Sequence, residues 1–323
     1  MLILKKESLH PKISIIGCGN VGIRYAYALI LKGIAREIVM VDIDRKRLEG
    51  EVMDLSHTAP YTSPVDIIAG DYEDIENSDI IVITAGRSQK PGETRLDLVN
   101  KNVGLFKEII PKIQKKAPKS IYLIVSNPVD ILSYVTYKIS GKPKNEIMGS
   151  GTVLDTARFR YLLAKNCHVD ASNVHAYVLG EHGDSEYAVW SSAMIGGTLI
   201  KEYCNMRKIV DLQDADEKFK KIFDQVKNSA YEIIERKGET SYGIGLALAR
   251  ISQAIVNDEN SILPVSTLIE NFYDINDLYL SLPCIINKNG VEETLKIELN
   301  EEEIKNFKFS ANTIKRIINN IGY

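Results

Sequence analysis

The stretch Gly180-Glu181-His182-Gly183-Asp184-Ser185 sets a histidine between two carboxylates on a glycine-flanked segment. An imidazole placed so can give or take one proton near neutral pH. A second stretch, Gly17-Cys18-Gly19-Asn20-Val21-Gly22, has the G-x-G-x-x-G spacing that lets a backbone approach a pyrophosphate and lay it on a helix N-terminus. Together the two describe hydride transfer coupled to proton transfer, a nicotinamide supplying the hydride and His182 the proton.

Each motif is read against its plainer alternative. A glycine-rich turn alone carries little, but Asp42 closes the apolar run Ile38-Val39-Met40-Val41 twenty residues past Gly22, where an acidic group can bind ribose hydroxyls. Its charge repels the 2′-phosphate of NADP, so NAD is the expected cofactor, although Arg45-Lys46-Arg47 could offer that phosphate a countercharge. His182 could be a solvated loop residue. Against that stand the glycines around it, the apolar run that delivers it, and a candidate orienting carboxylate at Asp155.

Asp155 and Arg158 lie three apart on a helical pattern and so share a face, whereas Arg160 is turned a further ~200° at ~100° per residue. Arg158 could grip a substrate carboxylate through a bidentate fork, and Arg160 must face elsewhere. The alternative for both is a surface ion pair. His168, His175 and His182 recur every seven residues, but an extended 174–180 at ~3.3 Å per residue separates His175 from His182 by roughly 20 Å. No metal is expected.

The elements that must hold these groups are legible from periodicity. Short β-branched runs at 12–16, 37–41, 65–69, 80–84 and 121–126 alternate with helical patterns such as 21–31 and 96–116. Strands apolar on both faces, as in Ile80-Ile81-Val82-Ile83, predict a doubly wound parallel sheet of the Rossmann kind, with function at its carboxyl ends. Pro111 is expected to kink or divide the helix over 96–116.

Beyond residue 150 the pattern becomes mixed α+β. It has a helix over 154–165, an extended run at 174–179 and a charged helix over 211–236. Paired strands follow at 277–286 and 290–299, and a last helix after Glu301. The expected division is a dinucleotide-binding domain over 1–150 and a substrate domain over 151–323.

Bulk properties exclude other classes. The 323 residues, 45% hydrophobic, suffice for two cores, and 40 basic against 43 acidic residues give a net charge of −3 with no footprint for nucleic acid or membrane. No apolar run has signal-peptide length or the ~20 residues that span a bilayer. Cys18, Cys167, Cys204 and Cys284 form no closely spaced pair, so a reducing, cytoplasmic setting is expected; Cys18 reads as a small buried residue.

Thr84-Ala85-Gly86, Gln89 to Leu96, Ser126-Asn127-Pro128-Val129-Asp130 and Leu154-Asp155-Thr156-Ala157-Arg158 join the two opening motifs in one order along the chain. In this the sequence resembles the L-lactate dehydrogenases of the lactate/malate dehydrogenase superfamily, of the bacterial allosteric type. The resemblance implies that His182 is the acid/base, Asp155 its partner and Arg158 the clamp on the pyruvate carboxylate. Arg95 polarises the carbonyl from a loop that closes over substrate and excludes water.

It further implies that Gly17, Gly19, Asn20, Val21, Gly22, Asp42, Thr84, Ala85, Gly86, Ser126 and Asn127 hold NAD, with Asn127 and Thr240 also lining the substrate pocket. Gln89 selects pyruvate over oxaloacetate, because a neutral amide leaves a second buried carboxylate without a countercharge. Arg160 and His175 match the residues that bind fructose 1,6-bisphosphate between subunits of a homotetramer. The alternatives are a malate or other 2-hydroxy-acid dehydrogenase on the same scaffold and, in another class, a noncatalytic NAD-binding sensor.

Overall fold

The computed structural model describes residues 10–87, 95–209 and 215–323, except for the side chains of Arg95 and Ala215. They form two compact units. The first takes the described part of Met1–Ser150 with Ser241–Ser261 and Ile286–Glu292, and the second takes Gly151–Thr240, Ile262–Ile285 and Glu293–Tyr323.

In the first unit β1 (Lys12–Ile16), α1 (Asn20–Lys32), β2 (Glu37–Val41), α2 (Arg45–Ser56), β3 (Asp66–Ala69) and β4 (Ile80–Ile83) are followed by α3 (Arg95–Lys116), β5 (Ile121–Ile124), α4 (Val129–Ser140) and β6 (Ile147–Gly149). The strands lie in the order β6-β5-β4-β1-β2-β3, all parallel, with Ile13 opposite both Ile38 and Ile80. This is the doubly wound order that places a crevice at the carboxyl ends of β1 and β4. Every residue of β4 and β5 is buried, the consequence of helices covering both faces.

α3 runs through Pro111 undivided, so the division allowed for at that residue does not occur. Pro111 and Lys107 are exposed, so the carbonyl that loses its partner faces water, while buried Phe106, Ile109, Ile110 and Ile113 hold the turns on either side. α8 (Tyr242–Val256) also packs in this unit, where the buried hydroxyls of Tyr25 and Ser252 meet at 2.6 Å.

The second unit contains α5 (Val153–Cys167), β7 (Val174–Leu179), β8 (Tyr187–Ile195), β9 (Thr198–Leu199), α6 (Ile200–Met206) and α7 (Ala215–Lys237). β7, β8 and β9 form an antiparallel sheet in that order. The core between α5, α7 and the sheet centres on Phe159, Leu163, Val178, Val226 and Trp190, with Trp190 stacked on Phe219 at 4.8 Å and edge-on to Phe159 at 4.9 Å. Such aromatic pairs add about 1 kcal/mol each to the burial of their area.

β10 (Ser261–Leu268), β11 (Tyr279–Asn287), β12 (Gly290–Thr294) and α9 (Glu301–Asn320) complete the chain. The second strand of the pair stops at Thr294 rather than 299, since the ladder ends where Leu295 N–H donates to Pro283 and Ile297 N–H turns back to Leu295. α9 starts at a reciprocal cap, Asn300 and Glu303 each accepting from the other's backbone N–H.

Candidate active site

The cofactor-binding features lie in the first unit. Gly17 ends β1 with φ +93°, and a Cβ there would stand 2.4 Å from the Ala85 nitrogen. Only glycine fits. At Gly22 a Cβ would meet the Gly17 carbonyl oxygen at 2.4 Å, so α1 can start this close to β1 only without a side chain.

Gly19 differs from both. A Cβ on it would meet nothing within 4 Å, so the protein's own packing does not require glycine there; the open space suits a ligand's approach. The α1 N-terminus has no side-chain cap and no acidic residue in its first turn, where Asn20 is exposed and Val21 half-buried. Its free N–H groups and dipole fit a pyrophosphate.

Asp42 follows β2 directly. It accepts from Cys18 N–H at 2.6 Å and from Asp44 N–H at 2.9 Å, which fixes the carboxylate beside the glycine turn. Thr84 donates its hydroxyl to the Gly17 carbonyl, Ser126 to that of Ala85 at 2.6 Å, and Gly86 is exposed beside Ser126. Burial pushes the Cys18 thiol up to about 12, so it stays protonated and inert.

Sequence reasoning missed Asn102. It is buried on the apolar stripe of α3, accepts from Arg87 N–H at 2.8 Å and donates to the Asn127 carbonyl at 2.8 Å, so it holds the two segments flanking the β4 and β5 ends. An asparagine between Val99 and Val103 in an otherwise apolar stripe was the available signal. Asn127 itself is exposed and precedes a cis peptide bond to Pro128.

His182 and its neighbours lie in the second unit. Gly180, at φ +92°, ends β7, and a Cβ there would stand 2.7 Å from Ser310 Oγ of α9, which accepts from Glu181 N–H at 2.6 Å. This close approach aims the next residues. His182 Nδ1 meets Asp155 Oδ2 at 2.6 Å, and Arg158 Nη1 donates to Asp155 Oδ1 at 2.7 Å, so α5 contributes both partners.

Asp155 is 3% exposed and His182 is 26% exposed at its side chain. Burial would raise the Asp155 pKa, but the charges and hydrogen bonds of His182 and Arg158 outweigh it and hold the carboxyl below its usual range. An ionised carboxylate only accepts, so Nδ1 carries a hydrogen and Nε2 is the ring nitrogen left to exchange a proton with another group.

Glu186, which the sequence reading passed over, is 6% exposed beside this pair. Ligating atoms of Asp155, His182 and Glu186 all lie within 4.8 Å of one another. The spacing invites a cation, against the expectation of no metal. Yet Arg158 is already ion-paired to Asp155, and Lys227 also acts on Glu186, so the protein itself supplies positive charge to this cluster.

Arg160 looks away from this group, as its position on α5 requires. Its Nε donates to the Ala176 carbonyl of β7 at 3.0 Å, and its guanidinium lies 5.4 Å over the Tyr177 ring. His175 shares that face of β7 by alternation and is exposed. Thr240 is half-buried after α7, while Gln89 and the Arg95 side chain lie outside the described residues. Cys167 and Cys204, distant in sequence, bring their sulfurs to 3.9 Å; all four cysteines are free.

The N-terminal model of lactate/malate dehydrogenase, NAD binding domain, matches residues 11–149, and that of the alpha/beta C-terminal domain matches residues 152–322. The chain belongs to the lactate/malate dehydrogenase family. It is accordingly an NAD-dependent dehydrogenase, with NAD as its cofactor. Among curated relatives, an L-lactate dehydrogenase of Clostridium botulinum is 53% identical over 98% of this chain and 99% of its own, and L-lactate dehydrogenase 1 of Clostridium acetobutylicum is 51% identical over 97% and 99%.

Solved structures agree in fold. A lactate dehydrogenase from a deep-sea metagenome library of the Medee basin superposes with TM-score 0.93 at 43% identity, covering 97% of this chain and 99% of that one. The minor L-lactate dehydrogenase of Enterococcus mundtii does so with 0.92 at 39%, covering 96% and 98%.

Proposed function

We propose that this protein is an L-lactate dehydrogenase that reversibly reduces pyruvate to L-lactate, with His182 as proton donor and acceptor. The observation that carries the reading is the Asp155–His182 contact at 2.6 Å with Arg158 on the same carboxylate. The relatives' names support the substrate.

Bound NADH supplies the hydride; the glycine turn, the uncapped α1 N-terminus and Asp42 are the residues that would hold it. Asp155 keeps Nδ1 protonated and stabilises the imidazolium, and His182 delivers the Nε2 proton to the carbonyl oxygen as negative charge develops there. In the oxidation of lactate the neutral ring takes that proton back. Arg158, anchored by Asp155 through Nη1, offers its other guanidinium edge to the substrate carboxylate. Arg95 polarises the carbonyl, Asn127 and Thr240 border the substrate, and Gln89 leaves a second carboxylate unpaired.

Fructose 1,6-bisphosphate fits as an activator at Arg160 and His175, within a homotetramer. Support comes from Arg160 facing away from the proton-transfer group and from exposed His175 on the same side of β7. A cytoplasmic setting suits four free thiols, and among the described residues no helix is long and apolar enough to cross a membrane.

The test is NADH oxidation with pyruvate, oxaloacetate and longer 2-oxo acids, each with and without the bisphosphate. Pyruvate should be the fastest, and the bisphosphate should raise its turnover or lower its KM. Faster turnover of oxaloacetate overturns the substrate, no response to the bisphosphate removes the regulatory site, and inactivity on every acid favours a noncatalytic sensor.

A further inference from the structure

Glu186 is a carboxyl group that neither the cofactor cradle nor the substrate clamp uses. It follows the His182 loop immediately before β8, is 94% removed from solvent, and makes no hydrogen bond or ion pair through its side chain among the described residues. A carboxyl held mostly out of water beside other ionisable groups is coupled to their charges more strongly than a solvated one.

The charged groups acting on Glu186 come from each element around it. α5 contributes Asp155 and Arg158, the loop contributes His182, and α7 contributes Lys227. Lys227 Nζ also donates to the Asp184 carbonyl at 2.7 Å, while Tyr231 OH donates to the Asp184 carboxylate at 3.0 Å, so α7 pins the loop from which both His182 and Glu186 project.

We propose that Glu186 is a positioning residue for His182: its carboxylate, when ionised, stabilises the imidazolium from within the 4.8 Å cluster and extends the pH range over which His182 holds its proton. The inference rests on the reading of His182 as proton donor. The titration of the two groups is shared. Burial, and then the charge of Asp155, push the Glu186 carboxyl up to about 8, so it is mostly protonated at neutral pH and ionises in the range where an imidazolium is otherwise lost. One proton can then leave the pair while the ring stays charged. Asp155 fixes the ring and its tautomer, and Glu186 sets how far into alkaline pH the ring remains an acid.

The experiment is kcat/KM for pyruvate with NADH from pH 5 to 10 in the wild type, Glu186→Gln and Glu186→Asp. Quenching of fluorescence by NADH reports folding of each variant. Glu186→Gln should move the alkaline limb to lower pH by about one unit or more, the effect of one charge removed at this range in a partly screened site. Glu186→Asp, which keeps the charge on a shorter stem, should recover part of the shift. Limbs that superpose for all three proteins overturn the proposal. If His182→Asn retains the wild-type limb, the limb does not belong to His182, and the proton-donor reading fails with everything resting on it.

Discussion

Two carboxyls beside one imidazole are driven in opposite directions by their surroundings. Asp155 is held below the usual carboxylate range because His182 and Arg158 outweigh its burial, whereas burial, and then the charge of Asp155, raise Glu186, whose side chain makes no hydrogen bond among the described residues, to about 8. The consequences for stability have opposite signs. A lowered folded-state pKa contributes stability above the ordinary carboxyl pKa that is lost as pH falls through the folded value; a raised one contributes stability at low pH that is lost as pH rises.

The Glu186→Gln protein should therefore gain stability relative to wild type as pH rises from its ordinary value of 4.5 through about 8, read as a widening gap between urea midpoints. A constant gap would contradict the raised pKa. Asp155→Asn should lower kcat for pyruvate by about 100-fold or more, since the amide leaves the ring without its counterion. Steady-state kinetics at saturating NADH measure it.

At the scale of elements, three glycines in two turns divide structural from functional need. Gly17→Ala puts a side chain against the Ala85 backbone at positive φ and should destabilise by about 2 kcal/mol or more in urea unfolding. Gly19→Ala meets open space and should leave the unfolding midpoint nearly unchanged while weakening NADH binding in a fluorescence titration. Gly180, wedged against Ser310, belongs with Gly17. The glycine spacing alone could not separate these roles, because the separation depends on which strand or helix lies opposite.

Legibility follows the same physics. β1, β2 and β7 begin and end at the residues periodicity gave, β1 and β2 as largely buried β-branched runs and β7 as a strand whose inward positions are apolar. The offset of Arg160 from Asp155 was also readable, since helical phase is a local property. β8, β10 and α8 were not, because their apolar residues serve packing partners remote in sequence. Glu186 and Asn102 escaped for a related reason: a Glu after a polar loop and an Asn in a helix gain meaning only from the groups that α5 and the β5 end bring to them.

At the scale of the whole molecule the two units hold different sets of the site residues. Residues that fit NAD lie in the first unit, and Asp155, Arg158, His182 and Glu186 lie in the second. We propose substrate choice at Gln89, which lies outside the described residues, on the chemistry of its amide. Gln89→Arg supplies a countercharge for a second carboxylate and should shift the kcat/KM ratio of oxaloacetate to pyruvate upward by at least about tenfold, a little over 1 kcal/mol. An unchanged ratio would mean that residue 89 does not read the substrate's side chain.

The most direct test of the central claim is His182→Asn, assayed for NADH affinity by fluorescence and for pyruvate reduction by single-turnover oxidation of NADH. If His182 is the proton donor, NADH affinity stays near the wild-type value and the rate of hydride transfer falls by about 1,000-fold, within the range for loss of a general acid. A variant that binds NADH normally and reduces pyruvate within tenfold of the wild-type rate would contradict the account.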